Sequence, residues 1–182
     1  ANRLRPNAEE FPVVSADGTA LHGWWIHGQG ERVLIWYHGN AGNISHRLET
    51  ARVLLERLGF DIVLVDYRGY GLSEGTPEET GLYVDGLAIY DATIRRGFDP
   101  ERLLLFGRSL GAAVAVEVAL NRPAAGLVLE TPFRNPDIDR LAQDLRTRQT
   151  KTLASGIDMI MADLKESMEA PPGTIDGHTH AL

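Results

Sequence analysis

At 182 residues, with a formal net charge of −7 and no cysteine, the chain has room for one domain with a buried core. The acidic balance argues against a nucleic-acid binder, which draws its affinity from Lys and Arg on phosphates. The lack of cysteine excludes disulfides, thiolate metal sites and a cysteine nucleophile.

No apolar run approaches the ~20 residues that span a bilayer, and the N-terminus lacks the charged-then-apolar layout of a signal peptide. The chain begins at Ala1 without a methionine. That leaves open a processed or trimmed product, soluble and cytoplasmic as it stands and membrane-anchored only if an upstream segment is missing.

Phe11–Ser15 and Thr19–Ile26 flank Asp17-Gly18, a strong short hairpin signal. Arg32–Tyr37 reads as a continuous apolar strand running into His38-Gly39-Asn40-Ala41-Gly42-Asn43. A helix is expected over about Ser45–Leu58, where Leu48, Ala51, Val53, Leu54, Leu55 and Leu58 give a broad apolar face. Asp61–Val65 is a second buried strand, followed by Asp66-Tyr67-Arg68-Gly69-Tyr70-Gly71 and a helix over Pro77–Arg96. Arg102–Phe106 reads as a strand, Leu110–Leu120 as a helix and Gly126–Glu130 as a further strand. Strands without polar alternation suit a sheet covered on both faces, and their exchange with helices predicts a parallel α/β sheet.

After Phe133 the composition changes. Every basic residue through 130 is arginine, whereas both lysines and all three methionines lie beyond it, and no aromatic residue follows Phe133. Ile138, Leu141, Leu145, Leu153, Ile157, Ile160, Leu164 and Met168 keep helical spacing. One long helix, or two at about 137–153 and 157–169 parted by Ser155-Gly156, would fit. Pro171-Pro172-Gly173 would end it, with 171–182 disordered. The domain reading is thus a core over 1–133 and a helical tail of different character over 134–182.

Gly107-Arg108-Ser109-Leu110-Gly111 fits G-x-S-x-G, the strand-to-helix turn of a nucleophile elbow. Such a turn strains the serine backbone, and side chains two residues to either side would collide. The Ser109 hydroxyl would stand at the carboxyl edge of the sheet, at a helix N-terminus that favours developing negative charge. The Leu110 amide would then be one oxyanion donor. The same pentapeptide also serves as an ordinary glycine-rich turn, but a strand before and a helix after favour the catalytic reading.

A second amide is expected after the first long buried strand, and Asn40, through its main chain, is the candidate. Gly39 to Gly42 read equally as a plain loop with Asn43 or Ser45 capping the next helix, and both readings can hold together. His38 fits a brace for this loop better than a catalytic base. His22, His27 and His46 read as surface residues. Trp24, Trp25, Tyr37 and Tyr70 could line an acyl pocket, although aromatic residues at strand ends more often belong to a core.

"WYHGNAGNISHRLE", "VDYRGYGLSEGTPEE" and "LFGRSLGAAVA", in this order and spacing, closely resemble the α/β-hydrolase superfamily over about residues 8–133. The resemblance is nearest to the α/β-hydrolase domain-containing lipases, esterases and depalmitoylases. It implies Ser109 as nucleophile, the amides of Asn40 and Leu110 as oxyanion hole, and structural parts for Asp66 and Arg68. It also implies an α/β-hydrolase-like, mostly parallel sheet with flanking helices. Members of this group often carry an N-terminal membrane segment.

In the family two further strands deliver an acid and then a Gly-His base. After Glu130 the chain shows no such strands, so the expected fold lacks them and ends in the helical tail. Asp176-Gly177-His178-Thr179-His180 loosely echoes the last family motif. That makes His178 a candidate base, against the alternative of a polar disordered terminus. Two histidines, His178 and His180, are too few to argue for a metal, and acyl transfer needs no cofactor.

Two functional readings follow. One is a serine hydrolase acting on carboxylic esters or thioesters through Ser109. The other is a truncated or recombined hydrolase core with little or no activity. Its helical tail would then serve packing or oligomerisation, with a homo-oligomer formed through the exposed flank of the sheet or through the tail helices.

Overall fold

A computed structural model describes residues 8–130. The helices expected over 137–169, the disorder expected over 171–182 and the candidate base His178 all fall outside the described residues.

Among the described residues eight strands form two sheets. A two-stranded antiparallel ribbon pairs β2 (Val13–Val14) with β3 (Ala20–Leu21). The expected turn joins them: Gly18 takes φ +88, its amide donates to Ser15 O at 2.9 Å, and the Thr19 amide donates to Asp17 Oδ1 at 3.1 Å. The apolar run Thr19–Ile26 is therefore not one strand. It breaks after Leu21, and β4 (Gly23–Ile26) joins the main sheet between β1 (Ala8–Glu10) and β6 (Asp61–Val65), antiparallel to both.

The main sheet runs in the order β1-β4-β6-β5-β7-β8. From β6 onward it is parallel through β5 (Val33–Tyr37), β7 (Leu103–Arg108) and β8 (Gly126–Glu130). Every residue of β5 and β6 is buried, as continuous apolar strands require when both faces are covered. The fold is a mostly parallel α/β sheet with flanking helices.

Among the described residues three α-helices connect the strands. Ile44–Arg47 forms a 3-10 turn that leads into α1 (Leu48–Leu58). Asn43 caps the turn by accepting from the Ser45 amide at 3.0 Å, and Gly59 ends α1 at φ +67. α2 (Glu79–Arg95) precedes β7, and α3 (Leu110–Asn121) follows it. The core contains Trp25, Ile35, Tyr37, Val63, Val65, Leu105, Val114 and Val118, with Leu82 and Ile89 from α2.

A buried polar knot fastens the hairpin to α2. The Arg68 guanidinium bonds Asp85, with Nη2 to Oδ1 at 2.8 Å, and reaches Asp17 Oδ2 at 2.8 Å. The Arg68 amide donates to Asp85 Oδ2 at 2.8 Å, and the Ser15 hydroxyl donates to Asp85 Oδ1. Asp85 is fully buried and Arg68 is 5% exposed, so each offsets the other's desolvation.

Candidate active site

β5 and β7 are adjacent and parallel, with Tyr37 opposite Gly107. From β5 the chain proceeds to β6 on one side, and from β7 it proceeds to β8 on the other. The sheet therefore reverses direction between β5 and β7, and open α/β sheets form their crevices at such a point.

At the end of β7, Ser109 takes φ 53 and ψ −116. It is the one non-glycine residue with positive φ among those described, a conformation that costs about 1–3 kcal/mol. Its amide donates to Glu130 O at 3.0 Å, and its side chain makes no capping bond to α3.

The flanking glycines are sterically required. A Cβ on Gly107 would stand 2.5 Å from Gly111 O and 2.7 Å from the Ala115 Cβ. On Gly111 it would meet the backbone of Tyr37 and His38. The collision expected two residues either side of the serine is thus real, and it involves β5 as well as the turn.

The loop after β5 comes against this turn. A Cβ on Gly39 would lie 3.3 Å from Arg108 O and 3.5 Å from the Ser109 Cβ. Asn40 is exposed, and its side-chain Oδ1 accepts a hydrogen bond from the Tyr70 hydroxyl. Asn40, Tyr70, Ser109 and Leu110 share one cavity of about 580 Å³. Its wall includes Leu82 and Tyr83 of α2 and Ala113 and Val114 of α3, with Glu78 and Glu79 at the start of α2. A largely apolar hollow with a hydroxyl and a few polar groups on one side suits an apolar small molecule.

His38 lies beneath the loop and is fully buried. Its Nδ1 is 2.9 Å from Gly39 O, so Nδ1 carries the proton, because a carbonyl oxygen only accepts. Nε2 has no hydrogen-bond partner and faces Asp66 Oδ1 at 3.4 Å, a distance for electrostatics rather than a formed bond. Burial holds the His38 imidazole down to about 4, with the Gly39 bond opposing. Burial also raises the Asp66 carboxyl to about 6, against the Ile44 amide bond.

Of the residues singled out from sequence, Ser109, Leu110 and Asn40 come together on one cavity. Tyr70 joins them, whereas Trp25 and Tyr37 are core and the Trp24 indole N–H reaches Glu10 at the edge of the sheet. His27 and His46 are exposed, and His22 pairs with Glu10 at 3.0 Å. Among the described residues no histidine bonds the Ser109 hydroxyl, and no group of three His, Asp or Glu is arranged to hold a metal. No described helix is long and apolar enough to cross a membrane.

Sequence reasoning passed over Leu82, Tyr83, Ala113, Val114 and the Tyr70–Asn40 bond. The spacing Leu110, Ala113, Val114 puts all three on one face of the first turns of α3, a signal that was available.

Among the described residues, a six-stranded, mostly parallel sheet with a serine at its switch point defines an α/β class of fold. The chain belongs to the α/β-hydrolase superfamily: the family described as serine aminopeptidase, S33, matches residues 28–172. The match runs across the change in composition after Phe133.

Among curated proteins, Rv2307c of Mycobacterium tuberculosis is 44% identical over 138 residues, covering 73% of this chain and 48% of that one. The bovine lysophosphatidylserine lipase ABHD12 is 35% identical over 148 residues, covering 70% and 36%. An α/β hydrolase from Vibrio vulnificus superposes with a TM-score of 0.62 at 26% identity, covering 70% of this chain and 46% of that one. The chain spans about half the length, or less, of the curated relatives described.

Proposed function

We propose that this chain carries the nucleophile and the oxyanion amides of a serine hydrolase acting on carboxylic esters or thioesters. The observation behind this reading is Ser109 itself, at positive φ between β7 and α3 and uncommitted to capping. Strain of this kind persists where the surroundings impose it and marks functional positions.

In the proposed reaction Ser109 Oγ attacks the substrate carbonyl carbon while a base takes the hydroxyl proton. The carbonyl oxygen becomes an oxyanion facing the amides of Asn40 and Leu110, aided by the N-terminus of α3. Collapse expels the alcohol or thiol, which takes the proton, and water then releases the acid from the acyl-serine. The apolar wall formed by Leu82, Ala113 and Val114 would receive the acyl chain. A lipase named among the relatives agrees with such a substrate.

His178, outside the described residues, is our candidate base. The experiment is labelling with a fluorophosphonate beside turnover of a p-nitrophenyl short-chain ester. Stoichiometric labelling that disappears in Ser109→Ala, with sustained turnover, supports the hydrolase; a wild type that never labels sinks it.

A second reading has one observation in its favour, the lack of a described histidine bonded to Ser109. The chain would then be a core of little activity whose tail serves association. A burst of nitrophenol without turnover favours it, and a strictly monomeric mass by light scattering removes the association.

A further inference from the structure

Acyl transfer as proposed makes no use of the buried pair beneath the Asn40 loop. Because Gly39 O claims the proton on Nδ1, a neutral His38 presents a lone pair at Nε2. That lone pair faces Asp66 Oδ1 at 3.4 Å, with both side chains at most 2% exposed. Two acceptors opposed in a dry interior repel each other. One proton on Oδ1 turns the contact into O–H···N and leaves a lone pair on Oδ1 for the Ile44 amide, which donates at 3.0 Å. The reverse arrangement, imidazolium against carboxylate, would bury two charges.

Neighbouring charges and rings act on both groups. Arg47, whose Nη2 donates to Ala41 O, disfavours a cation on His38. His22, His46 and Arg47 lean on Asp66 toward ionisation, but burial outweighs them. Arg108 faces Arg47. The Tyr67 and Tyr70 rings pack on the imidazole at 4.5 and 5.5 Å, and the Tyr67 hydroxyl donates to His38 O at 3.2 Å.

We propose that Asp66 is a positioning residue: in mildly acidic solution it keeps a proton at Oδ1, donates it to His38 Nε2 and the Ile44 amide bonds the same atom, fixing both ends of the loop that carries the Asn40 amide. Its meaning for catalysis rests on the acyl-transfer reading; the proton's location does not. An asparagine offers donor and acceptor on different atoms, so Asp66→Asn can satisfy His38 or Ile44, not both.

The test is NMR on the whole chain with labelled histidine and aspartate, at pH 5 and upward. At pH 5 His38 should be neutral, protonated on Nδ1 and bare on Nε2, while the Asp66 Cγ reports a protonated carboxyl. With rising pH the Asn40 and Gly42 amide signals should move with the Asp66 midpoint, and that movement should vanish in Asp66→Asn. At pH 5, where Asp66 holds its proton, phosphonylation of Ser109 should slow about tenfold in Asp66→Asn, the scale of a small misplacement at a reacting centre.

An imidazolium at pH 5, a proton on Nε2, or Asn40 signals indifferent to Asp66 would each overturn the proposal. If Ser109 never reacts while the NMR pattern holds, the hydrolase reading fails and the pair stands. The wild-type spectra suffice even if a variant does not fold.

Discussion

Gly111 packs against Tyr37 so closely that a Cβ on it would stand 1.9 Å from the Tyr37 carbonyl oxygen. The contact joins the first turn of α3 to the end of β5, so the serine turn and the Asn40 loop are held by backbone against backbone. Gly111→Ala should therefore destabilise the chain by about 3 kcal/mol, the upper range for forcing volume into a packed site. Urea unfolding checks this, and a variant as stable as the parent would show that the turn can give.

Ser109 sits at φ 53 and ψ −116, where any Cβ is strained. Ser109→Ala should abolish labelling and leave stability near that of the parent. Ser109→Gly should abolish labelling too, yet be more stable than Ser109→Ala by about 1 kcal/mol, because glycine adopts this backbone freely. Equal stability of the two in thermal unfolding would mean that the turn is not strained.

Arg68 and Asp85 are buried together and share several bonds. Asp85→Ala strands a buried guanidinium and should cost about 3–5 kcal/mol. Asp17 also bonds Arg68 but from the surface, so Asp17→Ala should cost far less. Denaturant midpoints of the two variants would invert that order if Asp17 were the main partner.

Stability against pH offers a signed test of the His38–Asp66 pair. His38 falls from 6.5 to about 4 on folding, so alone it makes stability rise with pH across that window, where the unfolded chain binds the extra proton. Asp66 rises from 3.8 to about 6, so alone it makes stability fall as pH rises across nearly the same window. In the wild type the two slopes nearly cancel, since folding moves one proton from histidine to aspartate. Asp66→Asn should expose the rising slope and His38→Gln the falling one. Denaturation curves from pH 4 to 6.5 that keep the parent's shape in both variants would refute this.

The parts of this fold legible in sequence were those with a local cause. The continuous apolar runs marked β5 to β8, and the spacing of glycines around Ser109 marked the strained turn. β1 was not legible, because Ala8-Glu9-Glu10 is a strand only through its pairing with β4. The division of Thr19–Ile26 was hidden for the same reason: two sheets, not one, claim its halves.

Within the site, Ser109, Leu110 and Asn40 could be named from motifs. Tyr70 could not be separated from core aromatics until its hydroxyl met Asn40. The His38–Asp66 contact needs the loops after β5 and β6 side by side, and parallel strands hydrogen-bonded to each other bring that about.

The register of Tyr37 with Gly107 has a consequence for how the chain reaches this state. β5 pairs with β6 on one side and waits for β7, synthesised much later, on the other. Closing that distant pairing costs loop entropy before its contacts repay it, so it should be among the slower steps of folding. Until then β5 offers an open apolar edge, and neither Ser109 nor the Asn40 loop has its neighbour. The crevice beside Ser109 is thus a late product of folding, and a chain stalled before β7 docks would lack it and be prone to aggregate.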